Sequence, residues 1–330
     1  MSTIDIPVED RWLSRSRLRI LFRERPIIPL LGMLAALVLL SEVIRPGIVS
    51  LNWGGVMVRA AIPLAILGAS QTLTMLTAGI DLSVGAVASM TGFVVATLVG
   101  GQGLFVAILV ALVVAAMVGL ISGVGVGVFR VHPLIMTLGM SFVVLGFANV
   151  WQLRMLQTGA GVPEALRWLG GGLFFNFVPH SLLLFVPLAA LIIFGLNRTG
   201  YGRLLYAIGD NPTAARLSGV RAWQVLIVLY VISAMLAGLA GFLLAGLTNV
   251  ASVTLANSAL LPSVAAAVIG GTSILGGRGG YPGTIVGALI LAVIASILAS
   301  LGYPEAVRQI LYGSIIVFVA AAYTRITGES

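Results

Sequence analysis

Ten long apolar runs, separated by short polar stretches, constrain this chain more than any other feature. They occupy residues 27–44, 56–78, 82–99, 104–128, 134–151, 181–196, 222–247, 257–269, 284–301 and 306–322. A helix of about 20 apolar residues bridges a bilayer and satisfies its own backbone there, which an irregular chain cannot do. The chain is 59% hydrophobic and only 8% charged over 330 residues, against about 25% charged in soluble domains. The fold class expected is all-α: a polytopic membrane protein with about ten transmembrane helices. Run 257–269 is too short to cross as a straight helix, so it reads as a half-helix or one that extends into its flanks.

Charge gives the expected orientation. All 18 basic residues are arginine, set against 10 acidic ones. Arg11, Arg15, Arg17, Arg19, Arg23 and Arg25 precede the first run, which places the N-terminus in the cytoplasm. Residues 1–26 are then a basic tail, either weakly amphipathic or simply solvated; 27–323 form the membrane domain and 324–330 a cytoplasmic tail. Alternating the runs puts Arg130, the loop 198–221, Arg278 and Arg325 inside, with Arg45, Arg59, Arg154, Arg167 and Arg308 as exceptions. Runs two to five and seven to ten start on opposite sides, as an inverted repeat requires.

Several functions are excluded by missing chemistry. Without lysine there is no GxxxxGK[ST] phosphate loop, so the chain is not its own ATPase. Without cysteine there are no disulfides or thiolate sites, and His132 and His180 belong to no HExxH pattern, so neither metal nor cofactor is expected. The basic excess reads as membrane orientation and not as nucleic-acid binding. Asp5, Glu9, Asp10, Glu24, Asp210 and Glu329 fall in tails or loops, and Glu42, Asp81, Glu164 and Glu305 in outer loops or near span ends. That pattern weakens ion-coupled transport, which needs acids within spans.

Four stretches carry the remaining signal. Residues 202–221, GRLLYAIGDNPTAARLSGVR, form a polar insert between apolar runs, suited to touching something in water. Asn211-Pro212 supplies a helix start, 214–217 a short helix with Ala214 and Ala215 in water, and Gly219 a stop. Residues 265–290, AAAVIGGTSILGGRGGYPGTIVGALI, carry Gly270, Gly271, Gly276, Gly277, Gly279, Gly280 and Gly283, which allow tight reversals, around Arg278. In LTAGIDLSVGAVAS, 76–89, Asp81 either caps a helix beginning at Leu82 or acts directly in transport or subunit contact. In the outer loop 152–180, Trp168, Phe174, Phe175 and Phe177 read as an interfacial belt or a docking surface. Gly119, Gly123 and Gly127, and likewise Ala237, Gly241 and Ala245, recur at four-residue spacing, as packing seams or as the wall of a path. Asn149, Gln152 and Asn249 are the amides worth naming near the outer span ends, and Asn149 and Asn249 are the substrate-path candidates.

The first three of these stretches closely resemble the signatures of ribose-type ABC importer permeases, and the hydropathy pattern resembles that family over nearly the whole chain. The resemblance implies that Asn211, Pro212, Thr213, Ala214, Ala215, Arg216, Leu217, Ser218 and Gly219 form the coupling helix that fits a groove on a separate ABC ATPase subunit. It implies that Asp81, Gly270, Gly271, Gly276, Gly277 and Arg278 are family-motif or gating positions. It also implies a bacterial inner-membrane subunit with both termini cytoplasmic. The implied partners are a periplasmic or lipid-anchored substrate-binding protein, and a second copy of the chain or a paralogous permease. The implied solute is a monosaccharide or polyol. Where the family often has Glu-Leu-Asp, this chain has Leu260-Leu261-Pro262. A branched-chain amino-acid permease, a self-contained ion-coupled carrier and a non-transporting scaffold are the rival readings.

Overall fold

The computed structural model describes residues 27–155 and 161–327. The basic tail 1–26 and the end of the C-terminal tail lie outside the described residues. The helices are α1 (Ile27–Ile44), α2 (Leu51–Met75), α3 (Val84–Gln102), α4 (Leu104–Gly127), α5 (Pro133–Met155) and α6 (Glu164–Gly171). A two-stranded ribbon, β1 (Leu173–Phe174) with β2 (Val178–Pro179), follows. Then come α7 (Leu182–Arg198), α8 (Gly200–Asp210), α9 (Pro212–Leu217), α10 (Ala222–Thr248), α11 (Leu260–Ile269), α12 (Tyr281–Ser300) and α13 (Glu305–Thr327).

Seven helices are long and apolar enough to cross a bilayer among the described residues, and eight if α7 and α8 count as one span bent by 66°. The sequence reading had ten. The other two runs are α11, at 10 residues, and α13. At about 1.5 Å per residue α11 spans roughly 15 Å, half the hydrocarbon thickness. A 3₁₀ turn, Asn257–Ala259, leads into it and Pro262 stands in its first turn, where a missing amide costs least. The run 181–196 does not end at a loop. Thr199 interrupts it, its hydroxyl accepting from the Gly202 amide at 3.2 Å, so that a second helix starts in a new direction.

Helix α10 is the hub, packed by α2, α3, α4 and α6. Lipid gives helices no hydrophobic reason to associate, so close packing must come from small residues and buried polar contacts. Both occur. A Cβ at Gly119, Gly123 or Gly127 would collide with the backbone of α10 at Tyr230, Ile227 and Trp223, so α4 lies flush and antiparallel on that helix. On another side of α10, Gly241 meets Ala88 and Thr91 of α3. Thr91 Oγ1 adds a hydrogen bond to the Gly238 carbonyl at 3.2 Å. Both four-residue patterns are therefore helix–helix seams. A second layer joins α12 to α2 and α11. There Tyr281, fully buried, donates to the Ala65 carbonyl, and the Thr72 and Thr284 hydroxyls meet at 2.6 Å.

Within the outer loop 152–180 lie α6 and the ribbon, whose register pairs Leu173 with Pro179. The indole of Trp168 lies 4.2 Å from the His180 ring, centre to centre, and His180 Nδ1 donates to the Trp168 carbonyl at 2.8 Å. Gly170 and Gly246 press α6 onto the last turns of α10. Arginines that depart from the orientation rule have local partners here: Arg59 donates to the Gly171 carbonyl, and Arg167 and Arg308 pair with Glu164 and Glu305 three residues earlier at 2.6 and 2.9 Å.

Candidate functional site

Three stretches far apart in sequence meet at the end of the bundle opposite α6. The glycine loop between α11 and α12 donates from the Gly277 amide to the Leu76 carbonyl at 3.0 Å. Helix α8 closes over that contact. Its Gly209 leaves no room for a side chain between Leu76 and Gly277, and Tyr206 donates to the Gly279 carbonyl at 3.0 Å. Gly277, at φ 67°, combines a left-handed backbone with an approach to Asp210 that a Cβ would crowd. On its other side α8 is tied to α10 by Tyr201, whose hydroxyl donates to the Val225 carbonyl at 3.0 Å. Gly270 packs on Gly283 and Thr284 at the start of α12, Gly271 and Gly276 take positive φ, and Arg278 is exposed at the loop's edge.

The short helix α9 projects from this junction. The side chain of Asn211 accepts from the Thr213 and Ala214 amides at 3.1 and 2.9 Å, Pro212 fills the first helical position, and Gly219 leaves the helix at φ 86°. Ala214 is exposed, as are Thr213, Arg216 and Ser218, and Leu217 is 86% exposed. Ala215 is not in water as the sequence suggested: it is 6% exposed, on the side of α9 that lies against the bundle. A bare leucine at the tip of a capped helix has the form of a docking knob.

Asp81 departs furthest from the sequence reading. It lies between two spans, as expected, but its carboxylate does not cap a helix at Leu82. Helix α3 begins at Val84, and Asp81 is 1% exposed inside the bundle. One carboxylate oxygen accepts from the Ser83 amide and hydroxyl at 2.9 and 2.6 Å, and the other from Ser233 of α10 at 2.8 Å. Gln71 of α2 clamps the Asp81 backbone, its amide donating to the carbonyl at 2.8 Å. Thr137 of α5 accepts from the next amide, Leu82, at 3.0 Å. The turn between α2 and α3 thus ties four helices together, and the carboxylate is consumed in doing so. Sequence reasoning missed Gln71, Thr137, Tyr206 and Ser233. The signal available was that polar residues, Ser70 to Thr74 above all, interrupt otherwise apolar spans.

Asn149 and Asn249 are not brought together. Both are exposed, on α5 and just beyond α10, and neither side chain forms a hydrogen bond among the described residues. Among the described residues no group of three or more His, Cys, Asp or Glu could hold a metal ion.

A multi-pass helical bundle with a polar junction at one end is the architecture of a membrane transport subunit. The chain belongs to the family described as branched-chain amino acid transport system / permease component, which matches residues 55–320. It is 35% identical over 272 residues to the fructose import permease protein FrcC of Rhizobium meliloti, covering 78% of this chain and 73% of that one. It is 34% identical over 304 residues to the probable ABC transporter permease protein YphD of Escherichia coli K12, covering 92% and 91%. With the ribose import permease protein RbsC of the same strain it shares 36% over 256 residues, 76% and 79% of the two chains. No solved structure matches the chain. The protein is a permease component, a transport subunit and not an enzyme.

Proposed function

We propose that the chain is the membrane-spanning subunit of an ATP-binding-cassette importer that moves a monosaccharide or related polyol by alternating access, driven by a separate ATPase. The observation that carries this reading is α9: a capped, exposed helix with Leu217 at its tip, braced by α8 against both the glycine loop and α10. A push on α9 reaches α10 through α8, and α10 packs against α2, α3, α4 and α6. Residues 211–219 are the coupling surface in this account. Gly270, Gly271, Gly276 and Gly277 are its pivot, and Arg278 marks the cytoplasmic edge. Both termini and α9 face the cytoplasm, by the arginine bias. The opposite end, where Trp168 and Phe175 are exposed beside α6, faces the substrate-binding protein. A second copy or a paralogous permease completes the pore.

The sugar assignment draws on relatives named for fructose and ribose import, whereas the family description favours a branched-chain amino acid as the second reading. The two separate in one assay. Proteoliposomes holding the chain, its ATPase and its binding protein are given ATP and a panel of labelled monosaccharides, polyols, leucine and valine. ATP-dependent uptake confined to a sugar or polyol is expected, and uptake of leucine or valine alone overturns the sugar reading.

A further inference from the structure

Between α10 and α11 the chain runs inside the membrane with little regular structure, and the coupling role leaves that segment unexplained. Its depth follows from its contacts. The Ala256 amide donates to Ser89 Oγ at 2.8 Å, and a Cβ at Gly85 would stand 3.2 Å from the Ala256 carbonyl. Ser89 lies roughly 20 Å along α3 from the far end of that helix at Gln102, within a hydrocarbon core about 30 Å thick. Helix α10 meets Ala88 of α3 at Gly241 and continues about 10 Å further to Thr248. Residues 249–256 therefore descend again into the bundle, and the half-length α11 covers only the remainder. Pro262 helps to keep the segment irregular, because it has no amide for the Ser258 carbonyl and so stops α11 from extending back through 257 as regular helix.

The side chains are the second, independent sign. Thr254, Asn257 and Ser258 are exposed at this depth. Positions exposed midway along the other spans are large and apolar, as at Leu109, Phe142, Leu191 and Val317, which suits lipid. The Thr254 hydroxyl meets Ser252 Oγ at 3.2 Å, whereas the Asn257 carboxamide and the Ser258 hydroxyl form no hydrogen bond among the described residues. Non-helical backbone at membrane depth is tolerated only where it is buried in protein or lines a water-filled cavity. No element among the described residues covers these three side chains, and an aqueous path supplies partners to all of them.

We propose that Thr254, Asn257 and Ser258 line the translocation path near the middle of the membrane and contact the hydroxyls of a neutral, polyhydroxylated solute. A carboxamide and two hydroxyls both donate and accept, as the hydroxyls of such a solute do. No charged residue occurs from Asn249 to Ser263. A zwitterionic amino acid would bring a carboxylate and an ammonium group here without counter-charges, and unpaired charge is costly away from bulk water. The segment therefore selects against it. The identity of the solute rests on the importer reading, whereas the exposure of the segment to water does not.

The chain has no cysteine, so single cysteines test the placement directly. Thr254→Cys, Asn257→Cys and Ser258→Cys are made in the full chain and treated, in membrane fragments open on both sides, with a charged methanethiosulfonate reagent that attacks only thiols in contact with water. Gly161→Cys, in the exposed outer loop, and Phe142→Cys and Leu191→Cys, on lipid-facing helices, set the two limits. The three path positions should react at least tenfold faster than the lipid-facing pair. Reaction no faster than that pair overturns the proposal, because the segment then faces lipid or is covered by a second copy of the chain. In the reconstituted uptake assay, Asn257→Leu and Ser258→Val should each reduce ATP-driven sugar or polyol uptake about tenfold or more, and Asn257→Gln should recover part of it. Uptake at the parent's rate by both apolar variants overturns the contact with solute. Fast labelling combined with uptake of leucine or valine alone overturns the solute assignment and not the water-lined segment, so the two failures are told apart.

Discussion

At the scale of single residues, Asp81 shows how position in a sequence differs from position in a fold. Asp81 stands between Ile80 and Leu82 in a turn that folds back into the bundle, where the hydroxyls of Ser83, just before α3, and of Ser233 in α10 take up both oxygens. Replacing it with alanine leaves Ser83 and Ser233 without their acceptor, at a cost of about 1–3 kcal/mol for a buried unsatisfied group. Asp81→Ala should therefore lower the unfolding temperature in detergent by several degrees, and Asp81→Asn, which keeps one acceptor oxygen, by less. An alanine variant as stable as the parent would remove Asp81 from the account. The charge pattern alone could not reveal this, since the partner serine lies 152 residues away. The glycines were more legible. Close-packed Gly119, Gly123 and Gly127 declare themselves by their spacing, whereas Gly209, equally crowded, has no periodic companion and was not singled out.

At the scale of elements, the short helix α9 was legible because its punctuation is local. Asn211, Pro212 and Gly219 set its start and stop through their own backbone chemistry, whatever surrounds them. What its sequence could not give is which side faces the bundle, because six residues are too few for a hydrophobic period. Ala215 faces in, while Ala214 and Leu217 face out. Ala214→Trp and Leu217→Asp should accordingly leave expression and membrane insertion intact while lowering ATP-driven uptake about tenfold or more, the scale of losing ~1.4 kcal/mol at a docking contact. Ala215→Trp should instead reduce the amount of folded protein. Full uptake by well-expressed Ala214→Trp and Leu217→Asp variants would show that α9 is not the point of contact. The break at Thr199 was hidden for a related reason: Thr-Gly-Tyr-Gly reads as a loop, yet the threonine cap starts a new helix at once.

At the scale of the whole molecule, the all-helical membrane class follows directly from apolar run length and scarce charge, because lipid admits so few backbone solutions. The number of crossings follows less directly. Hydropathy measures solvent preference and not direction, so it cannot distinguish a straight span from the bent pair α7–α8 or from the half-length α11. The junction of the glycine loop, α8 and the turn after α2 was also beyond it, being made by backbone groups such as the Leu76 carbonyl and Gly277 amide that every residue possesses. The central claim is that this bundle does no energy conversion of its own and is moved from outside through α9. Reconstituted uptake tests it most directly: the chain alone and the chain with its ATPase and binding protein, each under ATP and under an imposed proton or sodium gradient. Uptake that needs ATP and both partners is the result predicted, and robust gradient-driven uptake by the chain alone would contradict it.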